Sequence, residues 1–109
     1  MTTRPYSGIW PVAPTPFTET GVVDDDGMRR VIDCMIDQGC DGICILANFS
    51  EQFLISDAER AHLTRLCLEH VDGRIPVIVT ISHFATDIAV ARAREAKELG
   101  AAIVMMICL

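Results

Sequence analysis

The chain has 109 residues, half of them hydrophobic, and nine Lys+Arg against fifteen Asp+Glu give a formal net charge of −6. This length and apolar content (mean hydropathy +0.34) fit one domain over residues 1–109 with a sizeable core. The acidic balance and the lack of any Lys/Arg run exclude nucleic acid and anionic membrane as partners, since both require clustered positive charge.

Residues 1–6, Met-Thr-Thr-Arg-Pro-Tyr, lack the apolar centre of a signal peptide. No apolar run approaches the ~20 residues that cross a bilayer. The five cysteines, Cys34, Cys40, Cys44, Cys67 and Cys108, stand at apolar positions without zinc-site spacing. They read as buried thiols of a reducing compartment, and a cytoplasmic protein is expected.

Residues 8–14, Gly-Ile-Trp-Pro-Val-Ala-Pro, read as a first short strand. Pro11 and Pro14 each lack a ladder donor, so they suit a strand end or bulge. Thr20-Gly21 is a turn signal. Asp24-Asp25-Asp26 resembles a metal or phosphoacceptor cluster in isolation. Met28, Val31, Ile32, Met35 and Ile36 follow at i, i+3, i+4, i+7, i+8. That spacing makes one helical face, so the aspartates are read as its capping residues. Gly39 is placed as the stop.

Gly42 to Ala47 is an unbroken apolar run, which suits a strand buried on both faces of a parallel sheet. It turns polar at Asn48, Phe49, Ser50 and Glu51, placing these at the strand's carboxyl end, where α/β folds bind ligands. Ser56 and Glu59 have capping-box spacing. Leu63, Leu66 and Cys67 then mark a second helical face, and Gly73 its end. His62 and His70 lie on this helix and are assigned no function. Val77 to Ile81 is a third strand, closed by the polar cluster Ser82-His83-Phe84. Thr86-Asp87 is expected to cap a third helix with Ala89, Ala93 and Ala96 on one small-residue face, stopped by Gly100. Residues 101–107 form the fourth strand.

The order β-α-β-α-β-α-β implies a parallel sheet with helices outside it. A doubly wound sheet fits, as does part of a (β/α)8 barrel, which needs about 250 residues. The last strand has no helix after it to cover it. The expected fold is therefore α/β, with four parallel strands and three helices making the first half of a (β/α)8 TIM barrel.

Three stretches together resemble the dihydrodipicolinate synthase/N-acetylneuraminate lyase family: residues 8–17, the Gly42–Glu51 strand and loop, and Arg74-Ile-Pro-Val-Ile78 followed by Ala85-Thr86. The likeness runs over the whole chain and implies the N-terminal half of that family's barrel. Family members carry Gly-Thr-Thr-Gly-Glu after the second strand to hold a substrate carboxylate. Here the sequence is Ala47-Asn48-Phe49-Ser50-Glu51. The resemblance implies carboxylate binding by the backbone N–H groups of Phe49 and Ser50 and by the Ser50 hydroxyl. Asn48 and His83 are candidates for hydroxyl contacts or proton transfer, and Glu51 for bonding neighbouring loop N–H groups.

Both family threonines, including the one that relays a proton, are replaced, which points away from aldol condensation on pyruvate. Asn-Phe-Ser-Glu with Thr80-Ile-Ser-His-Phe84 resembles the family's sugar-acid dehydratases, which are lyases acting on 2-keto-3-deoxy sugar acids. Their chemistry needs no cofactor or metal: a lysine forms a Schiff base with the 2-keto group, and the iminium acts as electron sink. That lysine lies on the family's sixth strand and its catalytic tyrosine on the fifth, so no catalytic residue is expected in this chain. Lys97 is the only lysine and Tyr6 the only tyrosine. The expectation is a truncated or fragmentary member, inactive alone, whose full-length relatives form homo-oligomers. The alternatives are an aldolase or synthase of the same family, or a non-catalytic half-barrel whose open edges pair with a second copy.

Overall fold

The computed structural model describes residues 6–107. Helix α1 spans Asp25–Asp37, strand β1 Ile43–Ile45, a 3-10 turn Asn48–Ser50, helix α2 Asp57–Val71, strand β2 Val77–Thr80, helix α3 Thr86–Leu99 and strand β3 Ile103–Met105. The three strands form one parallel sheet in the order β1-β2-β3. Ile43 faces Val77, and Ile78 faces Ile103.

The expected first strand is reduced to a single parallel bridge, Val12 to Cys44. Ala13 N donates to Cys44 O (2.8 Å), and Cys44 N donates to Pro11 O (2.9 Å). Pro11 has no N–H to donate toward β1, so the ladder cannot extend backward, and Leu46, left-handed at φ 60°, ends it in the other direction. The segment lies close against the sheet all the same. A Cβ on Gly42 would stand 2.5 Å from the Trp10 ring, so only glycine permits this approach. The last strand is also shorter than residues 101–107.

Asp24 caps α1 by accepting from Gly27 N at 2.9 Å, as its position before an amphipathic run predicts. Met28 and Ile32 from that run are buried. They join Ile43, Ile45, Leu63, Leu66, Cys67, Val71, Val77, Val79 and Ala96 in one core between helices and sheet. The small-residue face of α3 behaves as expected, with Ala89 and Ala96 buried. Its expected Thr86-Asp87 cap does not form. The N-cap is Ala85, with no side-chain cap bond. Instead the His83 ring nitrogen Nδ1 accepts from Ala85 N at 2.9 Å. Cys44 and Cys67 are buried free thiols, and burial pushes Cys67 up to about 12. Cys34 is exposed, contrary to expectation, because it falls on the solvent side of α1. Cys108 lies outside the described residues. No helix among the described residues is long and apolar enough to cross a membrane.

Two histidine–aspartate pairs tie α2 to α1: His62 with Asp25 (2.8 Å) and His70 with Asp33 (2.8 Å). Arg74 adds a contact to Asp33 at 3.2 Å. The hydrogen bond from His70 is the main cause that holds the Asp33 carboxyl below its ordinary range, and Arg74 acts in the same sense. A depressed carboxylate adds stability above its unfolded pKa, and that stability is lost as pH falls through the folded pKa. Asp33→Asn is therefore expected to lower the urea midpoint at pH 7. The deficit should close as pH drops below about 4. A deficit of constant size from pH 7 to pH 3 would rule out this linkage.

The capping box of α2 is complete: Glu59 N donates to Ser56 Oγ (3.1 Å), and Ser56 N donates to Glu59 Oε1 (2.8 Å). Ser56→Ala is expected to cost about 1 kcal/mol in denaturant unfolding.

Candidate functional site

Polar residues gather where β1 and β2 end. Strand β1 stops at Ile45 because Leu46, though buried, takes a left-handed conformation (φ 60°). The 3-10 turn Asn48–Ser50 follows and closes on Glu51, also left-handed (φ 62°). Two non-glycine residues in this region bracket the loop, a strained arrangement worth roughly 1–2 kcal/mol per residue. The loop is therefore held by specific bonds.

Ser50 supplies one of them. It is fully buried, and its hydroxyl donates to the Ala13 carbonyl. This ties the loop to the end of the N-terminal extended segment. Ser50 N donates to Ala47 O (2.9 Å), Glu51 N to Asn48 O (3.0 Å) and Gln52 N to Ala47 O (3.2 Å). The expectation that Ser50 offers a free N–H and a free hydroxyl proton to a ligand is thus corrected: the N–H closes the turn and the hydroxyl proton goes to Ala13. The first N–H groups of a short helix have no partner within it, so the donors left over are those of Asn48 and Phe49.

Asn48 is exposed, and its Oδ1 accepts from Gln52 Nε2 at 2.6 Å. Gln52 is only 6% exposed. Glu51 is exposed, and no hydrogen bond joins its carboxylate to the loop N–H groups among the described residues, so the structural role expected for it does not appear.

His83 is half-buried after β2. With Nδ1 accepting from Ala85 N, a neutral ring carries its proton on Nε2. It borders a cavity of about 410 Å³ with Ile81, Phe84, Ala89 and Met106. No hydrogen bond joins it to Asn48 or Ser50 among the described residues. The two loops meet instead through Phe53 and Phe84, whose rings stack at 6.5 Å.

Sequence reasoning missed the residues that build the second loop. Arg60 is buried in α2 and donates to the Thr80 carbonyl. Burial is the first cause that lowers its guanidinium to about 10, with Arg92 adding to the effect. Arg92 of α3 donates to Ser82 O (2.6 Å) and to Asp57 Oδ1 (3.0 Å). Ser82 is buried, and its hydroxyl accepts from Ile107 N at 2.8 Å. Charged residues on predicted helices read as solvent-facing, so nothing marked the two arginines as inward. No group of three or more His, Cys, Asp or Glu that could hold a metal occurs among the described residues.

A parallel β/α sheet with polar side chains gathered at its carboxyl ends defines an α/β protein of the kind whose ligand sites lie at that edge. Residues 5–108 match the dihydrodipicolinate synthetase family, and the chain belongs to it. Over 100 residues it is 58% identical to L-2-keto-3-deoxyarabonate dehydratase of Azospirillum brasilense, covering 92% of this chain and 32% of that protein. Its fold superposes on YagE of Escherichia coli K12, a member of the same family solved in complex with pyruvate (TM-score 0.88, 29% identity, 93% of this chain and 34% of that one). It also superposes on N-acetylneuraminate lyase of Mycoplasma synoviae (TM-score 0.86, 28% identity, 91% and 34%). The chain spans about a third of the length of these relatives.

Ser50→Ala removes the buried bond to Ala13. It is expected to cost ~1–3 kcal/mol of unfolding free energy, measured by urea titration. An unchanged midpoint would show that the loop is held by other means.

Proposed function

We propose that residues 1–109 are the N-terminal part, one partial barrel domain with the first four strands, of a Schiff-base-forming hydro-lyase. Its substrate is a 2-keto-3-deoxy sugar acid, in the first instance 2-keto-3-deoxy-L-arabonate, which loses water to give 2-oxoglutarate semialdehyde. The observation that carries this reading is the 58% identity to the Azospirillum dehydratase across 92% of the chain. The loop chemistry supports it. The N–H groups of Asn48 and Phe49 face no intrahelical acceptor and suit a substrate carboxylate. The Asn48 side chain suits a sugar hydroxyl, and His83 Nε2–H is a second donor. Ser50 contributes by fixing the turn. With no threonine in the loop, the proton relay of the synthases has no counterpart here.

The chain's own residues bind and orient; they do not supply the nucleophile. Lys97 lies in the last turn of α3, and Gly100 then leads the chain to the amino end of β3. That is the opposite end of the sheet from Asn48 and His83. Tyr6 is exposed and packs edge-on against Trp10. The lysine that forms the iminium belongs, on this reading, to a later strand of a cytoplasmic, homo-oligomeric full-length protein. Aldol cleavage of the same substrate class is the second reading, favoured by the pyruvate bound in the YagE structure.

Borohydride reduction in the presence of 2-keto-3-deoxy-L-arabonate tests these assignments. The 109-residue chain is expected to gain no mass. The full-length polypeptide is expected to gain one covalent adduct and, without borohydride, to release 2-oxoglutarate semialdehyde. An adduct on Lys97 would sink the assignment of the nucleophile to a later strand. Release of pyruvate would replace dehydration with aldol cleavage.

A further inference from the structure

Gln52 is nine-tenths buried, yet only half of its carboxamide is satisfied. Nε2 donates to Asn48 Oδ1 at 2.6 Å, while Oε1 is buried with no hydrogen-bond partner among the described residues. An unpaired buried acceptor is costly, and an apolar side chain of the same length would avoid the cost. What glutamine supplies at this position is the bond to Asn48.

That bond has a directional consequence. A carboxamide has an acceptor end and a donor end, and its terminal torsion is soft. An unheld Asn48 would present either end to a ligand. With Oδ1 turned inward onto Gln52, the end left for a ligand is Nδ2–H2, a pair of donors. We propose that Gln52 is a positioning residue, locking the exposed Asn48 carboxamide as a hydrogen-bond donor toward an oxygen of the substrate, a 2-keto-3-deoxy sugar acid. The inference rests on the function proposed above and assigns the polarity of one of its contacts. A carboxylate only accepts hydrogen bonds and a hydroxyl can accept them, so a fixed donor serves either group.

Asn48 is the only asparagine in the chain, so selective 15N-asparagine labelling gives one side-chain amide signal. In the 109-residue chain that amide should show the heteronuclear NOE of an ordered group. Gln52→Met keeps the volume and removes the donor. It should make the Asn48 amide mobile while the protein melts no lower than the parent. An unchanged NOE in Gln52→Met overturns the proposal. Gln52→Glu supplies only acceptors, so Asn48 should turn its Nδ2–H2 inward, with amide proton exchange slowed several-fold. Exchange as fast as in the parent overturns the assigned polarity.

In the full-length enzyme acting on 2-keto-3-deoxy-L-arabonate, Asn48→Ala and Gln52→Met should each lower kcat/KM about tenfold, as for one lost hydrogen bond. The double variant should lose no more than the worse single one. Losses that multiply, in an enzyme whose wild type is active, overturn the positioning role alone. A wild type that turns over no 2-keto-3-deoxy sugar acid overturns the functional reading and, with it, the ligand assigned to Asn48.

Discussion

Parallel pairing is the constraint from which the other features follow. In a parallel sheet each strand must be returned to the same starting end by a crossover, and here α2 and α3 make those returns. Every strand then releases its chain at one edge. The loops after β1 and β2 are neighbours for that reason alone, 30 and more residues apart in sequence. The core between helices and sheet fixes the strands, which leaves those loops free to carry polar groups.

The strand ends are also where backbone groups lose their ladder partners. Different side chains meet this need in the two loops. After β1, the Ser50 hydroxyl reaches the Ala13 carbonyl and the 3-10 turn absorbs the remaining donors. At the end of β2, arginines from two different helices reach the Thr80 and Ser82 carbonyls, and the Ser82 hydroxyl takes the Ile107 N–H. Few buried polar atoms are left over among the described residues. Gln52 Oε1 is an exception, and its amide nitrogen bonds the exposed Asn48.

Much of the fold was legible because its signals are local. The apolar spacing of Met28 to Ile36, the Ser56–Glu59 box and the β-branched run Val77–Thr80 each depend on neighbours a few residues away. Strand limits were less legible: Pro11 and the left-handed Leu46 cut the first strand to one bridge, and Leu46 also ends β1 by a backbone angle that no leucine advertises. In the site, Asn48, Phe49, Ser50 and His83 stand at strand ends as expected. Their partners could not be read. Ser50 looks for its acceptor 37 residues back, and His83 turns its Nδ1 to a cap bond. Gln52, Arg60 and Arg92 are residue types usually met at the surface, and their inward course is set by tertiary contacts.

The two arginines also set how the molecule breathes. Arg60 and Arg92 come from α2 and α3, yet both guanidinium groups end on carbonyls of the short stretch 80–82 at the end of β2. Arg92 also bonds Asp57, at the start of α2. The start of α2, the middle of α3 and the Thr80–Ser82 backbone are therefore fastened at shared points. Undocking either helix releases the loop, and opening the loop frees a cation held in the interior. These segments should exchange their amide hydrogens as one cooperative unit, with the Phe53–Phe84 face opening in step with the helices.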